Sequence, residues 1–134
     1  MENTDERRKW FQSFMPLYEK AAPIIQRVTN PETLMAGELS VSPYSLLESN
    51  LTIQPIVEAV RKMPKPKEKQ LASIQREFEI ALSSCMKAAE AAVKYVALRE
   101  RGRDKRAVLS TITNLTNLAH EHMESVSRRL TPYG

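Results

Sequence analysis

The sequence contains few of the residues that specify turns, disulfides and β structure. Its 134 residues include three glycines and one cysteine, and only 6% of them are aromatic. An all-β fold needs more turn-forming glycine than this, so the composition favours an all-α fold. The single cysteine, Cys85, excludes an intrachain disulfide and a thiolate metal cage. It is typical of a protein of the reducing cytoplasm.

Long apolar runs are also missing. No stretch approaches the roughly 20 consecutive apolar residues that a membrane-spanning helix needs. The first 20 residues lack the continuous apolar core of a signal peptide. We therefore expect a cytoplasmic protein without a membrane span.

One long helical pattern occupies the second half of the chain. Apolar residues recur there at alternating spacings of three and four, which is the pattern of a coiled-coil seam. The hairpin seam is defined by Leu71, Ile74, Phe78, Ala81, Cys85, Ala88, Ala92 and Tyr95, and then by Leu109, Ile112, Leu115, Ala119, Met123, Val126 and Leu130.

The two arms of this seam are separated by a short segment suited to a chain reversal. Gly102 can adopt the left-handed conformation that ends a helix, and Asp104 can cap the next one. These residues predict a helical hairpin. The alternative is one bent rod, because a glycine inside a helix costs only about 1 kcal/mol relative to alanine.

The N-terminal segment has the apolar stripe of an amphipathic helix. Thr4 is a suitable cap, and the stripe comprises Trp10, Phe14, Leu17, Ala21, Ile25 and Val28. Pro16 and Pro23 fall within it, and each removes an amide and clashes with the carbonyl four residues earlier. The pattern therefore predicts a kinked helix or two shorter ones.

The middle of the chain predicts several short helices. Capping residues and prolines indicate helices in residues 30–37, from Pro43 to near Asn50, and from Thr52 to Met63. Residues 64–66 contain two prolines and predict an extended linker.

A second apolar strip, Leu82, Ala89, Val93 and Val96, makes the first arm of the hairpin too wide for one partner helix. We therefore expect an all-α helical bundle built on a long antiparallel hairpin, with the kinked N-terminal helix and the short middle helices packed against it. Residues 1–134 form one domain in this interpretation, with helices in 1–63, the linker in 64–66 and the hairpin in 67–130. The width of the apolar face also predicts a homodimer.

The positive charge is concentrated in one region. Residues 1–60 carry five basic and eight acidic residues, 61–106 carry thirteen and six, and 107–134 carry two of each. Two basic runs result, and clusters of this kind can bind phosphates. They comprise Arg61, Lys62, Lys65, Lys67 and Lys69 around the linker, and Arg99, Arg101, Arg103, Lys105 and Arg106 around the hairpin turn. The hairpin would place the runs at opposite ends, and aromatic residues are not interleaved with them, so nucleic-acid binding is not favoured.

The segment 120–124 is the place where two histidines and two carboxylates cluster. His120 and Glu124 have the four-residue spacing of helical metal ligands, whereas His120 and His122, two apart, point in different directions. A third ligand would have to come from the preceding helix, for instance Glu77 or Glu79. Solvated side chains on a helix surface explain the cluster more simply, and the sequence predicts no bound metal or cofactor.

The remaining polar and reactive side chains suggest structural roles. Cys85 lies in the seam and is expected to be a buried thiol. Thr116, also in the seam, is expected to hydrogen-bond a neighbouring helix and fix its register. Phosphate-binding glycine loops and nucleophile motifs are absent.

Three functions are compatible with this sequence. The first is a non-enzymatic helical scaffold or adaptor that binds another protein, and the rigid seams favour it. The second is an electrostatic binder of nucleic acid or anionic surfaces through the two basic runs. The third is a helical-bundle metal protein or enzyme that uses His120 and His122.

Overall fold

The computed structural model describes residues 2–28, 43–104 and 106–133, with the side chains of 5–27, 46–98, 100–104 and 106–132. Over these ranges the chain is an all-α helical bundle without strands. Its helices are α1 (Glu2–Val28), α2 (Pro43–Lys62), α3 (Lys69–Glu100) and α4 (Arg106–Leu130), and a 3-10 turn follows at Thr131–Tyr133. None of these helices is long and apolar enough to cross a membrane.

The reversal at Gly102 confirms the hairpin, since α3 and α4 are separate helices that pack against each other. Gly102 has a φ of 66°, the left-handed conformation of a helix-terminating glycine. The amide of Arg103 donates to the carbonyl of Leu98 at 2.9 Å, which closes the last turn of α3. Asp104 Oδ1 accepts from the amide of Arg106 at 3.0 Å and so caps α4. A continuous rod is therefore wrong.

The first arm of the hairpin seam is buried as predicted, apart from its end. The residues from Leu71 to Ala92 in the seam are each at most 1% exposed, whereas Tyr95 is half-buried. The second apolar strip is expected to be covered by other helices. Leu82 and Ala89 are buried as predicted, but the prediction is wrong at Val93, which is 52% exposed.

The length of α2 explains the exposure of Val93. Ser49 of α2 contacts Cys85 of α3, and α2 begins only six residues before Ser49. Because α2 runs back from the linker along α3, its first residue falls opposite a position of α3 near Ala91. Val93 lies beyond that point, so α2 cannot cover it.

Helix α1 is continuous through both of its prolines, so the alternative of two shorter helices is wrong. Pro16 and Pro23 are exposed, as are the residues four positions earlier, Gln12 and Glu19. The carbonyls that lose a helical partner therefore face solvent, where water can satisfy them. The buried face of α1 contains Trp10, Phe14, Ala21, Ala22 and Ile25.

Helix α2 is also continuous, and the predicted break between Asn50 and Thr52 is wrong. Pro55 lies inside α2 on its exposed face, and Leu51, whose carbonyl it leaves without a helical donor, is 75% exposed. Solvation of that carbonyl again removes the reason to end the helix. The helix predicted for residues 30–37 and the side chain of Thr4 lie outside the described residues.

The four helices share one hydrophobic core. An aromatic cluster fixes α1 on α3: the rings of Trp10 and Phe14 stack with centroids 4.3 Å apart, and Phe14 meets Phe78 edge-on at 4.9 Å. The segment between α2 and α3 comprises residues 63–68, slightly longer than the predicted linker at 64–66. It lies at the same end of the bundle as the first turns of α1, because Lys67 and Glu68 bond to Glu6 and Arg7.

Candidate functional site

Polar contacts join the start of α1 to the linker at one end of the bundle, which we call the linker end. The guanidinium of Arg7 donates from two nitrogens to both carboxylate oxygens of Glu68, at 2.6 and 2.8 Å. This hydrogen bonding lowers the pKa of Glu68. Glu6 accepts from the backbone amide of Lys67. The two residues that follow Pro66 therefore hold the linker against α1, and Pro66 is itself buried.

A groove of about 580 Å³ lies between the first turns of α1 and the linker. We call it the Trp10 groove. Its apolar lining comprises Trp10, Met63, Pro64 and Pro66, and its polar lining comprises Asp5, Glu6, Lys9, Ser13, Lys65 and Lys67. Trp10 is only 5% exposed, and its Nε1 donates to Gln75 Oε1 of α3 at 2.9 Å. The indole is thus held in place by its own hydrogen bond.

A second groove of about 600 Å³ lies between the end of α2 and the start of α3. We call it the basic groove, because Arg61, Lys65, Lys69 and Arg76 line it together with one carboxylate, Glu79. Arg61 Nε donates to Glu79 Oε1 at 2.9 Å. The other three basic residues form no ion pair with any residue that the structure describes.

The two grooves adjoin each other. Met63 and Lys65 line both, and the hydrogen bond from Trp10 to Gln75 connects the lining of one to that of the other. An apolar surface and a positively charged surface therefore meet at the linker end.

The structure gathers most of the first basic run at this site. Arg61, Lys65 and Lys69 line the basic groove, Lys67 lines the Trp10 groove, and Lys62 is exposed but lines neither. Sequence reasoning missed Arg76. Its signal was present, because Arg76 lies seven positions after Lys69, which is two helical turns and therefore the same face. Trp10 was predicted only as a core residue, and no local pattern placed it beside the linker.

The second basic run lies at the other end of α3, about 48 Å away along a helix of 32 residues. Arg101 and Arg103 are exposed there. Arg106 binds both carboxylate oxygens of Asp104, at 3.0 to 3.2 Å. These hydrogen bonds lower the pKa of Asp104 to about 2. The side chain of Arg99 and the whole of Lys105 lie outside the described residues, and the described part of this run forms no groove with the first one.

The histidine cluster divides into two separate pairs. His120 Nε2 lies 3.7 Å from Glu124 Oε2, and His122 Nδ1 lies 3.2 Å from Glu77 Oε2 across the hairpin. Of the two carboxylates considered from the sequence, Glu77 therefore contacts one histidine, His122, whereas Glu79 binds Arg61 instead. Within the described ranges no three histidine, cysteine or carboxylate side chains are grouped so that they could hold a metal ion.

Glu77 is the centre of a polar cluster between α3 and α4. Burial favours a higher pKa for its carboxyl, but hydrogen bonds from Ser125, His122 and Arg129 lower the pKa below its ordinary value. Ser125 Oγ donates to Glu77 Oε1 at 2.6 Å, and Arg129 Nη1 donates to Ser73 Oγ at 2.9 Å. The hydroxyl of Ser125 thus meets a carboxylate and not an imidazole, so this is not the arrangement that activates a serine nucleophile. The cluster instead holds the register of the two arms.

Cys85 and Thr116 have structural positions. Cys85 is 1% exposed, and burial raises the pKa of its thiol to about 11, so the thiol is protonated at neutral pH. Thr116 is buried as predicted, but its hydroxyl bonds the carbonyls of Ile112 and Thr113 in its own helix, at 2.9 and 3.0 Å. The expectation that it bonds a neighbouring helix is therefore wrong, because its own backbone satisfies it.

Comparison of the chain with models of protein families, with characterised proteins and with solved structures found no match.

Proposed function

We propose that this protein is a non-enzymatic helical scaffold or adaptor that binds another protein through its linker end. The observation that carries the proposal is the junction of the Trp10 groove with the basic groove at Met63 and Lys65. Protein interfaces combine an apolar centre with a polar rim. The linker end offers both next to each other on a surface made by three helices and a linker.

The linker end suits a protein better than a nucleic acid. Single-stranded nucleic acids bind aromatic side chains by stacking their bases on an exposed ring. The ring of Trp10 is buried and its Nε1 is already bonded to Gln75. The carboxylates of Asp5 and Glu6 also line the Trp10 groove, where they would repel phosphates.

Photo-crosslinking in a lysate of the source organism tests this proposal. A photoreactive amino acid replaces Lys65 at the linker end or, as the matched control, Arg103 at the hairpin turn; both native side chains are exposed. We expect one protein to crosslink at position 65 and to be absent at position 103. Crosslinking to the same proteins from both positions, or to none from position 65, would contradict the proposal.

A second candidate function is electrostatic binding of nucleic acid or anionic surfaces. Lys65, Lys69 and Arg76 in the basic groove favour it, because they have no acidic partner among the described residues. Binding of this kind weakens as salt concentration rises. We expect weak retention on a polyanion column at low salt and little at physiological ionic strength, since the acidic N-terminal segment opposes it.

Charge reversal tests this second candidate. If polyanions bind at the linker end, Lys65→Glu, Lys67→Glu and Lys69→Glu combined should weaken binding equally for all nucleic-acid sequences and reduce its salt dependence, because phosphate contacts carry no sequence information. Arg101→Glu with Arg103→Glu measures the contribution of the hairpin turn. Unchanged binding by the triple variant would exclude the linker end as a polyanion site.

We also propose that the protein forms a homodimer. Val93 supports this, because it belongs to the second apolar strip and is 52% exposed where α2 no longer covers α3. A symmetric contact between two hairpins would bury it. Sedimentation equilibrium at micromolar concentration should give twice the 15.3 kDa mass of one chain, and Val93→Lys should return it to the monomer. A wild-type monomer would refute the dimer.

We further propose a cytoplasmic location. Its support is the lone cysteine, Cys85, which is a buried thiol in a chain that cannot form an intrachain disulfide. Fluorescence microscopy of the tagged protein in the source organism tests it, and a signal confined to the cell envelope or the medium would contradict it.

A further inference from the structure

We infer that the segment bound at the linker end is an acidic peptide with an apolar anchor. The anchor side chain would enter the Trp10 groove, and carboxylates near it in sequence would bind the basic groove. This inference rests on the proposed function as a protein-binding module and specifies the chemistry of its partner. The occupant follows from the shape and the charge of the two adjoining grooves.

The Trp10 groove has the size and lining that an apolar anchor needs. Its volume of about 580 Å³ lies within the range of pockets that bind small ligands. The apolar surface open to a partner belongs chiefly to Pro64, which is exposed and has a fixed φ, and to the half-buried Met63. Trp10, bonded to Gln75, and Pro66 are buried and keep this part of the lining rigid. Binding then orders few side chains of this protein, which favours affinity.

The charge of the adjoining surface selects acidic groups. Of the acidic residues that line the two grooves, Glu6 accepts from the amide of Lys67 and Glu79 accepts from Arg61. Four basic residues line the basic groove against one acidic residue, Glu79, whereas Asp5 and Glu6 line the Trp10 groove, which receives the apolar anchor and not the carboxylates. A segment that carries carboxylates would complete the pairing, and a basic segment would be repelled.

The spacing of the basic residues limits where the carboxylates lie. Lys69 and Arg76 are separated by two turns of α3, about 10 Å. An extended peptide advances about 3.3 Å per residue, so roughly three residues span this distance. Lys65 lines both grooves, whereas Lys69 and Arg76 line only the basic groove. A peptide that runs from the Trp10 groove to Lys69 and Arg76 would therefore pass Lys65. We expect an apolar residue followed or preceded within a few positions by two acidic residues about three apart.

Selection from a displayed library of random peptides tests this inference. The probe is the library itself, incubated with immobilised full-length protein, and the enriched sequence is then synthesised with a fluorescent label for anisotropy measurements. We expect an enriched apolar residue with nearby acidic residues. Replacing those acidic residues by their amides should weaken binding about tenfold or more, and added salt should weaken it further.

Variants of the protein locate the binding surface. Lys69→Glu with Arg76→Glu should abolish detectable binding, and Ser13→Arg should obstruct the Trp10 groove from an exposed position. The matched control is Lys87→Glu with Lys94→Glu, which makes the same charge change at the same seven-residue spacing on exposed positions of α3. The control should bind within about twofold of the wild type, and circular dichroism checks that each variant is folded.

The outcomes separate this inference from the proposed function. Enriched peptides that lack acidic residues but are blocked by Ser13→Arg would overturn the partner chemistry and leave a protein-binding linker end standing. If neither Ser13→Arg nor the Lys69/Arg76 variant changes the affinity for the enriched peptides, both the partner chemistry and the proposed function of the linker end would be overturned. A selection that enriches no peptide, with a polyanion bound through Lys69 and Arg76 instead, would overturn this inference in favour of electrostatic binding.

Discussion

Replacing Phe78 by alanine should be among the most destabilising single changes in this bundle. Phe78 is fully buried, and its ring lies 4.9 Å from that of Phe14 and 6.1 Å from that of Tyr18. Losing the transfer free energy of the ring costs about 2 to 3 kcal/mol, and each aromatic contact adds about 0.5 to 1.5 kcal/mol. The expected loss in the free energy of unfolding is therefore about 4 kcal/mol, within the range of about 3 to 5 kcal/mol typical of this substitution.

Urea unfolding followed by far-ultraviolet circular dichroism measures this loss. The matched control is Ile80→Ala, two residues further along α3, where the native side chain is 40% exposed and alanine favours the helix. We expect the control to change stability by less than about 1 kcal/mol. A loss below about 1 kcal/mol for Phe78→Ala would show that the ring does not pack as described and would refute the assignment of the seam.

Three further changes test the turn and the contact between the arms. Gly102→Ala should lower the stability by about 1 kcal/mol in a thermal melt, because alanine resists the φ of 66°. No atom outside Gly102 and its two chain neighbours lies within 4 Å of the added methyl group, so the loss reports the backbone conformation; an unchanged melt would contradict the cap. Asp104→Asn keeps the capping oxygen but removes a carboxylate whose pKa the Arg106 hydrogen bonds hold at about 2, below its ordinary 3.8. The stability that this lowered pKa provides is fully present above pH 3.8 and is lost as the pH falls towards 2. The wild type should therefore lose more stability than the variant between these pH values. Parallel curves of stability against pH for the two proteins would contradict this role of Asp104. Glu77→Gln should lower the stability by about 1 to 2 kcal/mol at neutral pH, because the carboxylate accepts a hydrogen bond from Ser125. This difference should shrink as the pH falls through the lowered pKa of Glu77. Equal stability of the two proteins at neutral pH would show that the cluster has no structural role.

The hairpin could be predicted from the sequence because its signals are local and agree with one another. The three-and-four spacing of the seam, the glycine at 102 and the cap at Asp104 each indicate the same reversal. The same reversal explains why Glu77 and Glu79 could both be considered as neighbours of the histidines, because antiparallel arms joined near residue 102 bring both within about a turn of His122. The sequence does not decide between them, and in the structure Glu77 contacts His122. Consistency between local propensity and long-range pattern is what makes such elements predictable.

The errors at the prolines and at Val93 have one physical origin. Proline rules describe what a helix loses locally, whereas the cost depends on whether the freed carbonyl faces water. Pro16, Pro23 and Pro55 all lie on exposed faces, so the helices continue through them. The exposure of Val93 likewise depends on where a different helix begins. Neither quantity can be obtained from the residues next to the position in question.

The candidate site depends on the packing of the helices against one another even more than the prolines and Val93 do. Its residues come from the first turns of α1, the end of α2, the linker and the start of α3, and the basic run in the sequence contributes only part of them. What brings Trp10 beside the linker is the stacking of Trp10 on Phe14 and of Phe14 on Phe78. The core and the groove therefore share one set of contacts. It follows that Phe78→Ala should weaken peptide binding as well as stability under conditions in which the variant remains folded, whereas Ile80→Ala should leave both nearly unchanged.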